Sequence, residues 1–258
     1  MISIRQIEQA YPERLRGFKK NILREYLQYK ILEIIFNSGL AHKLSFLGGT
    51  ALRIVHENNR FSEDLDFDNF KLSENDFIRL TKEIQNGLQK EGYDVEIRAV
   101  MKSAFRCYVK LPQVLFDNAM SNLKDEKILI QVDTEPHEYS YKPDKVFLNK
   151  FDIFTQIFVT PPDILLSQKI CALLSRKRAK GRDFYDVIFL LQKTKPDYEY
   201  LKQKVGPADA GALKNKMLEY VKTLNLKDLA KDVEPFLFQP SDSKKIVLFS
   251  EYIKQVAL

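Results

Sequence analysis

The run Phe46-Leu-Gly-Gly-Thr-Ala-Leu-Arg53, followed by Arg60-Phe-Ser-Glu-Asp-Leu-Asp-Phe67, constrains this chain more than any other stretch. Leu44, Phe46 and Leu47 form an apolar segment that gives way, across Gly48, Gly49 and Thr50, to helical spacing at Ala51, Leu52 and Val55. A strand, a glycine turn and a helix are predicted in that order. Thr50 suits a helix cap, and the turn offers bare N–H groups to an anion such as a triphosphate. Asp64 and Asp66 then sit two residues apart between Leu65 and Phe67. In a strand, side chains at i and i+2 share a face, so both carboxylates converge on one spot. Adjacent anions repel, and a divalent cation is the usual reason to keep them together. Triphosphate plus metal predicts a nucleotide-transfer site.

Two further segments extend that site. Asp133 ends the almost wholly apolar run Ile128-Leu-Ile-Gln-Val-Asp133, where a buried acid needs a cation or hydrogen bonds. It is the third candidate metal ligand. Downstream, Arg176, Lys177, Arg178, Lys180 and Arg182 crowd a helix–helix junction that turns through Gly181, a pattern suited to phosphate or RNA. Asp183 and Asp186 follow at i, i+3 spacing, and Lys169 faces them from the preceding helix if the two pair antiparallel.

The rest of the chain supplies a scaffold. A helical stripe runs from 19 to 37, and Ser73 caps a second helix through Leu88 that Gly92 closes. Tyr93–Ile97, Phe105–Val109, Lys127–Thr134 and Phe154–Val159 alternate like strands, with Arg98 to Ala104 as a connection. At Thr160-Pro161-Pro162 the texture turns helical, with helices expected near 164–178, 182–193, 197–205, 208–224 and 243–256. The domains are therefore predicted as 1–160 and 161–258. A net charge of +6 is compatible with a nucleic-acid partner without demanding one. Cys107 and Cys171 fit a reducing cytoplasm, and they make no zinc spacing with His42, His56 or His137. No apolar run approaches membrane-spanning length and the first residues lack a signal peptide's core, so a soluble, cytoplasmic protein without a membrane partner is expected.

Taken together, Gly48-Gly-Thr-Ala-Leu-Arg53, Arg60-x-Ser62-x-Asp64-Leu-Asp66-Phe67 and Lys169…Arg182-Asp183-Phe-Tyr-Asp186 resemble the AbiEii/AbiGii family of nucleotidyltransferase toxins, within the polymerase-beta-like nucleotidyltransferase superfamily. The resemblance spans roughly residues 20 to 195; later residues carry no recognised motif. It implies an α+β protein with a nucleotidyltransferase-fold mixed sheet flanked by helices, then a C-terminal helical bundle, with the active site in the cleft between them. It further implies magnesium-dependent transfer of a nucleoside monophosphate from an NTP, by the toxin of a toxin–antitoxin or phage-defence pair with a cognate antitoxin. Some members resemble modifiers of the tRNA 3′ end. On this reading Asp64 and Asp66 hold two Mg2+ ions, and Asp133 completes one and helps deprotonate the acceptor. Gly48, Gly49 and Thr50 cradle the triphosphate, Arg53 and Lys169 neutralise it, and Asp183 orients Lys169 or the nucleotide. The basic cluster favours RNA as acceptor. A protein or small-molecule acceptor, or an inactive nucleotide- or RNA-binding module, stays open at this point.

Overall fold

Of the two acids expected on one strand, Asp66 lies in it and Asp64 immediately precedes it; that strand lies in the middle of a seven-stranded mixed sheet. In the computed structural model, which describes residues 2–258, the strands are β1 (Leu44–Leu47), β2 (Leu65–Asn69), β3 (Glu96–Met101), β4 (Phe105–Leu111), β5 (Ile128–Pro136), β6 (Asp144–Lys150) and β7 (Ile153–Val159). Their order is β3-β4-β5-β2-β1-β7-β6. The β2–β5 and β1–β7 pairs are parallel and the others antiparallel.

Helices α1 (Ile4–Gln9), α2 (Lys19–Phe36), α3 (Gly48–Ile54), α4 (Glu74–Lys90) and α5 (Val114–Asp117) accompany the strands. The fully buried Phe46, Phe67, Ile130, Val132 and Ile157 line one face of the sheet, the face on which α2 packs. Burying each such side chain contributes about 1.5–3 kcal/mol. Ser73 caps α4 in a reciprocal box with Asp76, as expected. The opposite face carries Asp66, Asp68, Asp133, Arg106 and Tyr108, because strict alternation leaves them no other side.

From Pro162 the chain is helical: α6 (Pro162–Ser175), α7 (Gly181–Leu191), α8 (Tyr198–Val205), α9 (Ala210–Lys222), α10 (Leu226–Val233), α11 (Lys244–Val247) and α12 (Phe249–Gln255). Gly181 has an ordinary φ; its constraint is close approach, since a Cβ there would lie 1.9 Å from the Leu229 carbonyl oxygen of α10. Its N–H donates to Asp232 at 3.0 Å. Chain contacts group residues up to Ala51 with Phe61–Thr160 in one compact unit, and Leu52–Arg60 with Pro161–Leu258 in another.

Four local expectations change. The strand β3 runs on through Arg98–Met101, where a connection was predicted; β6 and α10 were not predicted; and the final helix breaks at Leu248 into α11 and α12. Both cysteines are free thiols. Among the described residues no helix is long and apolar enough to cross a membrane.

Candidate active site

In the sheet-bearing unit, the glycine turn and the carboxylate strand meet at a single point. Strands β1 and β2 pair so that Leu47 lies opposite Asp66, and the chain then bends into α3 at Gly48. Gly48 has φ +81°, in the left-handed region that favours glycine. A Cβ added there would stand 2.1 Å from Asp66 Oδ2. No other residue can therefore occupy this position while Asp66 keeps its place. Thr50 is buried, and its hydroxyl donates to the carbonyl of Asp64. That bond ties the first turn of α3 to the residue just before the acidic strand.

Asp133 arrives from β5. Its register partner across the parallel ladder is Asp66, so the two carboxylates share one face on neighbouring strands. Gln131 donates to Asp133 Oδ2 at 2.6 Å, and Arg106 Nε lies 3.7 Å from the same oxygen. The second oxygen, Oδ1, is buried and accepts no hydrogen bond among the described residues. Burial raises the Asp133 carboxyl above the ordinary range, against the opposing pull of Gln131 and Arg106. An orphaned carboxylate oxygen beside Asp66 fits a hard divalent cation. Among the described residues no cluster of three or more His, Cys, Asp or Glu side chains is assembled to hold a metal alone. Magnesium in nucleotide sites ordinarily takes one or two carboxylates and completes its shell with phosphate oxygens and water, so the residues present suit it.

One polar cluster on this face escaped sequence reasoning. Asp68 is register-paired with Ser45, accepts from the Tyr141 hydroxyl, and has His137 Nδ1 3.0 Å from its other oxygen. Thr160 Oγ1 lies 2.9 Å from Tyr141 and 3.0 Å from Ser45. The signal was present, because Asp68 continues the i, i+2 series of Asp64 and Asp66.

In the helical unit the expected charged segment forms a different arrangement. Asp186 is fully buried and accepts two bonds from the Arg60 guanidinium, at 2.7 and 2.6 Å, and one from Asn58 at 3.0 Å. Lys169 Nζ lies 2.8 Å from its Oδ2. Burial alone would raise the Asp186 carboxyl; Arg60 and Lys169 outweigh it and hold the group at about 2. The carboxylate on Lys169 is thus Asp186, whereas Asp183, also buried, has Arg176 Nε at 3.0 Å. Arg53 lies over the Phe238 ring, 4.6 Å from its centroid, and reaches the Asn58 carbonyl at 3.4 Å. Arg176, Lys177 and Arg178 are exposed on the loop between α6 and α7; Lys180 and Arg182 at its end are half-buried. Lys180 is pushed below its ordinary value by Arg182, by burial and by Arg176.

Two solved structures share the fold. JHP933 of Helicobacter pylori matches with a TM-score of 0.56 at 16% identity, covering 90% of this chain and 91% of that one. The MenT4 nucleotidyltransferase toxin of Mycobacterium tuberculosis matches with a TM-score of 0.56 at 13% identity, covering 100% and 91%. No curated protein sequence matches this chain. The family model for the nucleotidyl transferase AbiEii toxin of type IV toxin–antitoxin systems matches residues 30–241, which takes in the glycine turn, all three carboxylates and the Arg60–Lys169–Asp186 network. The chain belongs to that family and is a nucleotidyltransferase.

Proposed function

We propose that this toxin uses magnesium to transfer a nucleoside monophosphate from an NTP to an RNA acceptor, the 3′ end of a tRNA. Family membership already brings an NTP substrate and a cognate antitoxin. The observation that carries the finer reading is the bare Cα of Gly48 against Asp66, with Asp133 in register beside it. Asp64, Asp66 and Asp133 are the residues to hold two Mg2+ ions, which when bound supply charge stabilisation for the phosphoryl group in transfer. Asp133 is also assigned to help deprotonate the acceptor hydroxyl. Gly48 and Gly49 leave backbone room for the triphosphate tail, and Thr50 fixes the turn through Asp64. Arg53 and Lys169 are assigned to neutralising a triphosphate, and Asp183 to orienting the nucleotide.

RNA is favoured as acceptor by the loop cations Arg176, Lys177, Arg178 and Lys180, with Arg182. Five cations within seven residues give an RNA phosphate backbone a place to bind, since each phosphate contact releases a counterion. The test is to incubate wild type and Asp64→Asn/Asp66→Asn with each labelled NTP, magnesium, and total cell RNA or protein. Label should enter RNA with wild type alone, and calorimetry should show magnesium-assisted NTP binding that the double variant lacks. Label in protein instead of RNA, or equal NTP affinity in both proteins, would overturn the reading. Induced expression should also arrest a bacterial host, and Asp66→Ala should relieve the arrest while folded protein is still made.

A further inference from the structure

The hairpin β3–β4 carries a concavity of about 330 Å³ lined by Arg98, Val100, Lys102, Arg106 and Tyr108. Register places it on the carboxylate face of the sheet. Arg98 pairs with Tyr108 and Val100 with Arg106; Arg106 in turn pairs with Asp133, and Asp133 with Asp66. Strand spacing then sets the Arg106 backbone about 10 Å from that of Asp66. Arg98, Lys102 and Arg106 are all exposed. Arg106 has one long contact, to Asp133 at 3.7 Å, and among the described residues Arg98 and Lys102 form no ion pair. Three exposed cations beside a half-buried tyrosine suit a phosphate.

We propose that this concavity binds the backbone phosphates of the RNA acceptor, just upstream of the hydroxyl that receives the nucleotide. The inference rests on the RNA-acceptor reading above and adds where that acceptor lies. Strand order supplies the argument. The glycine turn follows β1, on one side of β2, while Asp133, β4 and β3 lie on the other. In-line displacement puts the attacking oxygen opposite the departing pyrophosphate. A triphosphate tail on the β1 side therefore brings the acceptor in from the β5 side, across Asp133 and over the hairpin. Tyr108, register-paired with Gln131, offers a ring on which a base could stack.

The experiment measures binding of total bacterial tRNA to wild type, to Arg98→Gln/Lys102→Gln and to the charge-conserving Arg98→Lys/Lys102→Arg, over a range of salt. NTP affinity is followed in parallel by calorimetry. The glutamine variant should bind tRNA on the order of tenfold more weakly, with a salt slope shallower by about one to two. The charge-conserving variant should keep the wild-type slope, which separates lost charge from lost folding. Wild-type binding and slope in the glutamine variant, while tRNA is still modified, would overturn the hairpin site and leave the RNA acceptor standing. A loss confined to NTP affinity would assign the concavity to the donor and also overturn it. If wild type modifies no RNA at all, the acceptor reading fails and this inference fails with it.

Discussion

Asp186 in the helical unit and Asp66 in the sheet unit are both acids that the chain has taken at least partly out of water, by opposite means. Asp186 is surrounded by donors: a forked guanidinium, a carboxamide and an ammonium. Asp66 is flanked by a missing side chain, the absent Cβ of Gly48. The first environment fixes a carboxylate completely and leaves it nothing further to bind. The second keeps a carboxylate against the bare Cα of Gly48, the arrangement on which the proposed nucleotide site rests. One acid is locked into the fold, and the other is the one proposed for chemistry.

Removing the Asp186 charge should give the largest effect. Asp186→Asn leaves Arg60 and Lys169 without their shared partner, and breaking a buried pair this way costs about 3–5 kcal/mol. Urea unfolding should show the drop; a change below about 1 kcal/mol would mean the network does little for the fold. Gly48→Ala should reverse the balance. The left-handed backbone costs about 1–2 kcal/mol with a Cβ. The displaced Asp66 should lower nucleotide transfer on the order of 10²-fold, because a misplacement near 1 Å is enough for that. Equal losses of stability in the two variants would erase the distinction drawn here.

The smallest effect is acid sensitivity. Asp186 is held at about 2, below its ordinary 3.8. A depressed carboxyl contributes stability that is present above about pH 4 and lost as pH falls toward 2. The difference corresponds to about 2 kcal/mol. Urea midpoints measured down that window should fall in wild type and fall less in Asp186→Asn, where the group cannot titrate.

Much of the sheet unit was legible because its signals are local. The glycine turn, the Ser73 cap and the strand through Asp66 each need only a few neighbouring residues, although Asp64 falls just before that strand. The strand β6 was missed because Val146, Phe147 and Leu148 are all apolar. Phe147 is 58% exposed and breaks the alternation that would reveal a half-buried strand. The extent of β3 was missed because Lys102-Ser103-Ala104 holds no glycine or proline to mark the turn. For that reason the sequence alone reads Arg98 as part of a loop, and the basic concavity emerges only from the β3–β4 register. The partner of Lys169 depends on register between helices. Lys169 lies farther back from the α6–α7 loop than Arg176, so in an antiparallel pair it meets Asp186, while Arg176 meets Asp183. Spacing alone points to Asp183 as the partner of Lys169, and the helix register gives Asp186 instead.

The grouping of Leu52–Arg60 with residues beyond Pro161 also has a consequence for how the protein is made. Arg60 precedes its partner Asp186 by 126 residues. A ribosome adding about 5–20 residues per second needs roughly 6–25 seconds to cover that distance. Throughout that interval the helix begun at Gly48 has an end with nothing to join. A message cut short before α7 would encode every carboxylate of the sheet and still leave that end untethered. The Arg60–Asp186 bond is therefore made late in translation, well after the acidic residues of the sheet have been synthesised.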